Sequence, residues 1–310
     1  MTMRPFLLLL APAVFAQEPA PLSIKVDVSL VNVAFIVRDR SGALAGNLTK
    51  DDIEVLEDGV PQEVRFFGRS ADLPLRLALI MDVSSSQDKF NKQHISDVGK
   101  FVSSAIETRD RVLLICFGDH IRVVSDFNRS PREMIDATSA FEKGDRKFPE
   151  LDPDDTRDAG TALFDSLYAV ATQKLNDSER ERRAIMVFSD GEDNSSAHDL
   201  LDAIEAAQSA DAPIYTVRYT EARRGRLTSR NRYGMREMDR LAQETGGAAF
   251  DASKTDVAAS LRQVAEELRS MYDIGYTSTN ASRIPGFRKV EIRVKRPGLT
   301  ARAKPGYYVR

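Results

Sequence analysis

The chain has 310 residues, of which 42% are hydrophobic and 29% charged, with 44 Lys and Arg set against 47 Asp and Glu. That apolar content suffices for one large or two smaller cores and excludes a chain that is disordered by default, while a formal net charge of −3 argues against general nucleic-acid binding. The single cysteine, Cys116, excludes an internal disulfide and leaves stability to packing.

In chain order, Met1-Thr2-Met3-Arg4, the apolar run from Pro5 to Phe15 and the small residue Ala16 read as a secretory signal over residues 1–16. The run is too short to span a bilayer, which takes about 20 residues. No Cys follows Ala16, which disfavours a lipid anchor. The expectation is an exported protein, periplasmic or secreted, that does not span a membrane. Residues 17–21 form a Pro-rich linker. Residues 22–70 read as β-structure: apolar and polar residues alternate from Ile24 to Val37, Arg38 to Gly42 turn, and Asp58-Gly59 centres a hairpin.

Residues 73–271 alternate strand and helix patterns. Strands are predicted over 75–81, 111–117, 121–126, 183–189, 213–219 and 247–250, with helices over 89–107, 132–142, 162–175, 197–210, 234–245 and 257–271. This order implies an α/β domain with a doubly wound, mostly parallel six-stranded sheet, in which the turn Gly118-Asp119-His120 makes one antiparallel edge hairpin. Cys116 fits a buried strand position as a small hydrophobe. Residues 272–310 return to β, with three short strands near 272–277, 287–295 and 299–303. A few isolated strands rarely hold together alone, so this C-terminal region is expected to pack with residues 22–70 as a small β-sandwich-like domain.

The chemistry concentrates where buried strands end. Leu77-Ala78-Leu79-Ile80-Met81 stops abruptly at Asp82, followed by Ser84 and Ser86; Thr161 stands where a helix begins; and Ile185-Met186-Val187-Phe188-Ser189 ends in Asp190. The carboxyl ends of parallel strands are where open α/β sheets bind ligands, and these side chains offer only oxygen, the donor that hard divalent cations prefer. Each residue alone would be an ordinary loop or cap residue; together, at three strand or helix ends, they favour a site.

Asp-x-Ser-x-Ser, a helix-opening Thr and strand-Ser-Asp-Gly resemble the metal-ion-dependent adhesion site of von Willebrand factor type A domains. Ser85 stands where many members have Gly, at a position that is not a ligand. With Leu56-Glu57-Asp58-Gly59 and Lys304-Pro305-Gly306-Tyr307-Tyr308 added, nearly the whole mature chain resembles a bacterial family of exported proteins related to that domain. The resemblance implies a Mg²⁺ held by Asp82, Ser84, Ser86, Thr161 and Asp190, whose shell an Asp or Glu carboxylate of a partner protein completes. Mg²⁺ suits six ligands at about 2.0–2.1 Å with waters retained; Mn²⁺ could substitute, and Ca²⁺ would fit less tightly.

Two charged loops are expected at the same face. Residues 142–158 carry six acids from Asp145 onward, and residues 221–232 carry five arginines. Such runs are usually solvated surfaces; the functional alternative makes Asp154, Asp155, Arg223, Arg224 and Arg226 a partner-binding rim. The three histidines, His94, His120 and His198, sit in no catalytic motif and read as surface residues. Gly-rich phosphate loops, zinc motifs and Gly-x-Ser-x-Gly elbows do not occur. The expectation is a protein-binding, adhesion-type module rather than an enzyme, with a structural cell-envelope protein or a metal-dependent hydrolase as alternatives.

Overall fold

The computed structural model describes residues 30–69, 71–144, 147–151, 160–176, 180–220, 226–280 and 284–309; the signal segment and the linker lie outside them. Four strands open the described chain: β1 (Leu30–Asp39), β2 (Ile53–Glu57), β3 (Val60–Gln62) and β4 (Val64–Arg69). The β2–β3 turn is Asp58-Gly59 with φ of 49° and 82°, the left-handed pair that a two-residue hairpin requires and that Gly accepts without steric cost.

An alternating series follows: β5 (Leu75–Asp82), α1 (Asn91–Ala105), β6 (Arg111–Phe117), β7 (Ile121–Asn128), α2 (Pro131–Lys143), α3 (Leu163–Ala169), β8 (Arg182–Ser189), α4 (Leu200–Ser209), β9 (Ile214–Arg218), α5 (Ser229–Thr245), β10 (Ala249–Asp251) and α6 (Val257–Arg269). The six strands form one sheet in the order β10-β9-β8-β5-β6-β7. All its neighbours are parallel except the β6–β7 pair, as the doubly wound reading expects. Every residue of β5 is buried, because successive side chains enter opposite layers. Leu77, Leu79 and Met81 pack with Phe101 of α1, Met134 of α2 and Leu261 of α6. Ala78 and Ile80 meet Leu167 of α3, Ile204 of α4 and Leu241 of α5. Each fully buried Leu or Ile contributes about 1.5–3 kcal/mol.

The α5 helix starts at Ser229, five residues before the predicted Gly234. Thr228 accepts the amide of Asn231 while the Asn231 carboxamide takes the Thr228 amide, a reciprocal cap that extends the helix through a stretch poor in apolar residues. A π-helical turn, Val170–Lys174, closes the helix that begins at Leu163.

The chain ends in β11 (Tyr272–Thr277), β12 (Gly286–Val294), β13 (Leu299–Ala303) and β14 (Gly306–Val309), one strand more than expected. Two mixed-origin sheets result, ordered β13-β1-β11-β4 and β14-β12-β2-β3. Val33, Phe35, Val55, Tyr272, Tyr276 and Val290 share their core. Glu57, 2% exposed, is satisfied inside it by the hydroxyls of Tyr276 at 2.8 Å and Tyr307 at 3.0 Å, with Arg288 alongside. Two ion-pair groups join this unit to the α/β unit. Glu267 of α6, 1% exposed, accepts from Arg38 of β1 and from Arg302 of β13. Arg182 at the start of β8 grips Asp273 of β11 through both oxygens, at 2.7 and 2.8 Å.

His94 departs from the surface expectation. It is buried on α1 between Phe90, Phe188 and Tyr219, because the amphipathic stripe of α1 turns this position inward. Cys116 is buried, as expected. Among the described residues no helix is long and apolar enough to cross a membrane.

Candidate metal centre

The loops after β5 and β6 and the segment that opens α3 are stitched together by main-chain bonds. The Val83 amide donates to the Phe117 carbonyl at 2.8 Å, and the Ala162 amide donates to the Gly118 carbonyl at 2.9 Å. Three loops, carrying Ser84, Gly118 and Thr161, are thereby held at one end of the sheet; Ser84, Gly118 and Gly160 line one cavity there.

Asp82 is fully buried and oriented by two donors. Its Oδ1 accepts the Ser84 amide at 2.9 Å and its Oδ2 the Ser189 hydroxyl at 2.6 Å. The Ser189 oxygen in turn accepts the Gly191 amide, so one side chain fixes both the carboxylate and the turn that carries Asp190. The Ser84 and Ser86 hydroxyl oxygens lie 3.2 Å apart. Asp190, 4% exposed, accepts the Glu192 amide and lies close enough to Asp82 to repel its charge. Thr161, 6% exposed, donates its amide to Asn194 Oδ1 at 2.8 Å, and its carbonyl takes the Asn194 amide at 3.1 Å.

The Asp190 turn needs glycine. Gly191 has φ of 82°, and a Cβ there would fall 2.3 Å from the Gly234 carbonyl oxygen, just as one on Gly234 would fall 2.3 Å from that of Asp190. The glycine inside α5 thus admits the β8 loop against the helix, at the cost in helix propensity that Gly carries.

Burial pushes the Asp82 carboxyl up to about 7, against the lowering effect of hydrogen bonds from Ser189 and Ser84 and with the help of the Asp190 charge. Burial likewise raises Asp193 and, with Asp190, Glu192. Two adjacent buried carboxylates call for a cation, and the neighbouring donors are neutral hydroxyl oxygens; the set fits a hard divalent ion. No group of three or more His, Cys, Asp and Glu side chains converges on a metal position among the described residues.

Of the expected rim, Arg226 alone lies among the described residues, where it is exposed; Asp154, Asp155, Arg223 and Arg224 lie outside them. Arg230, left out of the expected rim, lines a groove of about 390 Å³ together with Ser86 and Asp190 and pairs with Glu192 at 3.2 Å. Ser189 and Asn194 were also missed as positioning residues. Their signal is their place, immediately before Asp190 and just after it in a polar run.

The family model of the von Willebrand factor type A domain matches residues 77–267. No curated protein matches the chain. Among solved structures, an aerotolerance-related membrane protein from Bacteroides fragilis aligns at 16% identity and a TM-score of 0.46, covering 63% of this chain and 98% of that one. A von Willebrand factor type A protein from Catenulispora acidiphila aligns at 12% identity and 0.46, covering 92% and 74%. The mussel byssus proximal thread matrix protein 1, described with a zinc-occupied MIDAS motif, aligns at 14% identity and 0.47, covering 67% and 48%.

Proposed function

Because the chain belongs to the von Willebrand factor type A domain family, we propose that it is an exported protein-binding module that holds a divalent cation, Mg²⁺ in the first place, between Asp82, Ser84, Ser86, Thr161 and Asp190. The observation that carries this reading is Asp82, buried at the end of the central strand beside the charge of Asp190 and hydrogen-bonded to the hydroxyl of Ser189. When bound, the ion would neutralise the pair and offer a coordination position to an Asp or Glu carboxylate of a partner protein. Ser84, Ser86 and Thr161 would add oxygen without charge, leaving the ion electrophilic. Ser189 would hold Asp82 in its rotamer, and Asn194 would hold the Thr161 backbone.

Two of the three histidines hold structural places, while the third, His120, lines the cavity beside Ser84 and faces Glu150 at 3.5 Å. His94 is enclosed by aromatic rings, and burial lowers it to about 4, so it is neutral and sequestered at physiological pH. His198 Nδ1 lies 2.7 Å from the buried Asp165, whose carboxylate also takes the amides of Ala197 and His198; this pair ties a loop to α3.

Capture of an Asp-containing peptide on immobilised protein should require Mg²⁺, vanish in EDTA and return when Mg²⁺ is restored. Chelation that lowers thermal stability while leaving capture intact would instead mark the metal as a structural tie.

The pH dependence follows from the direction of the Asp82 shift. A folded-state pKa raised above the unfolded carboxylate value means that the folded, metal-free protein binds the proton more tightly than the unfolded chain, so stability falls as pH rises between about 4 and about 7. The proton competes with the cation below about 7. The Mg²⁺-induced rise in Tm should therefore grow from pH 5 to pH 8 in scanning fluorimetry. A rise of equal size at both ends of that range would contradict Asp82 as a ligand.

A further inference from the structure

The groove that runs from the metal position toward α5 carries polar groups that a single captured carboxylate leaves unused. Ser86 and Asp190 stand at its metal end, and Gln87, Glu192, Arg230 and Asn231 are among the residues that line the rest. The amino end of α5 opens onto it. Thr228 caps the Asn231 amide, but the first-turn amides of Ser229 and Arg230 belong to the set that no helical carbonyl satisfies, and the helix dipole favours an anion there. Gln87 supplies an independent sign of a ligand. It is 1% exposed, its amide nitrogen reaches the Tyr219 carbonyl at 3.3 Å, and among the described residues its Oε1 accepts from no donor, an arrangement that costs about 1–3 kcal/mol unless something completes it.

Arg230 is placed to exchange partners. Its side chain is 67% exposed while that of Glu192 is 13% exposed, and an ion pair so open to water is held weakly. Arg230 can therefore leave Glu192 for an incoming anion at small cost.

Building on the proposed metal reading, we propose that this groove is a second acid subsite. The partner segment it fits carries two carboxylates a few residues apart: one for the cation, the other for Arg230 and the amino end of α5. A main-chain N–H between them would meet Gln87 Oε1. Specificity then comes from the spacing of two acids rather than from one metal-bound carboxylate.

The test is calorimetric titration, in Mg²⁺, of Gly/Ser peptides carrying one Asp, or two Asp separated by one, two or three residues, into the full chain and into Arg230→Gln. Wild type should bind at least one two-Asp peptide about tenfold more tightly than the single-Asp peptide, a difference of about 1.4 kcal/mol. Arg230→Gln should bind both with the affinity of the single-Asp peptide, and Arg230→Lys should restore part of the difference. Equal Mg²⁺-dependent affinity for all peptides in wild type would overturn the second subsite while leaving the metal reading intact, as would an undiminished preference in Arg230→Gln. Absence of Mg²⁺-dependent binding to every peptide would overturn both.

Discussion

Asp82→Asn is expected to lower Mg²⁺ affinity by about 100-fold or more, since even partners behind the ligands cost 10–100-fold in metal sites, while making the metal-free protein more stable at pH 8. The two effects have one cause. Asp82 is held ionised at that pH against a folded-state pKa of about 7, about three units above the ordinary carboxylate value. Each unit corresponds to about 1.4 kcal/mol, so the upper bound on the relief is about 4 kcal/mol. The carboxamide keeps an acceptor for the Ser84 amide and can meet the Ser189 hydroxyl with its own nitrogen, the two contacts that hold the aspartate. At pH 5, where the folded Asp82 is already protonated, the stability gain should fade. Calorimetric titration of Mg²⁺ and urea unfolding in EDTA at both pH values check the pair of effects. Equal Mg²⁺ affinity in the variant and wild type would remove Asp82 from the ligand set.

Deleting residues 272–310 is expected to collapse the β-unit and drive the remainder into aggregates. The segment contains β11, which lies between β1 and β4, and β12, which lies between β14 and β2, so its loss unpairs the interior of both sheets. Val33, Phe35 and Val55 would be uncovered where Tyr272, Ile274, Tyr276 and Val290 now pack. At about 1.5–3 kcal/mol for each large side chain, the loss reaches the whole stability of a typical domain, about 5–15 kcal/mol. Glu267 would also lose Arg302, and Arg182 would lose Asp273. Size-exclusion chromatography and dye binding to exposed apolar surface should both report the change; a monomeric truncated protein with unaltered dye binding would show that the N-terminal strands hold without their partners.

The sheet was readable because its strands announce themselves. β5 carries an unbroken apolar run from Leu77 to Met81, as suits a strand covered on both faces. The joining of the flanks was readable by shortage, since neither end has strands enough for a sheet of its own. What stayed hidden depends on neighbours distant in sequence. β14 is four residues following Lys304-Pro305 and is made a strand by pairing with β12. His94 looks like a polar helix residue until Phe90, Phe188 and Tyr219 close around it. At the site, Asp82, Ser84, Ser86, Thr161 and Asp190 stand out because polar residues interrupt apolar periodicity at element ends. Ser189 and Asn194 matter through hydrogen bonds across loops, and Arg230 matters because Gly234 lets α5 lie against the Asp190 turn. Periodicity carries no record of such approaches.

The threading of the β-unit also sets an order of assembly. Leu30 pairs with Thr277 and Phe35 with Tyr272, so the first strand of the described chain cannot find its neighbour until the whole intervening α/β unit has been made. Contacts between residues so far apart are slow to form when the chain between them is loose. A folded α/β unit shortens that search, because it carries Glu267 and Arg182 as landing points for Arg38, Arg302 and Asp273. The α/β unit is thus its own template for the late closure of the sheets, and a nascent chain exposes the apolar edge of β1 until its last strands emerge.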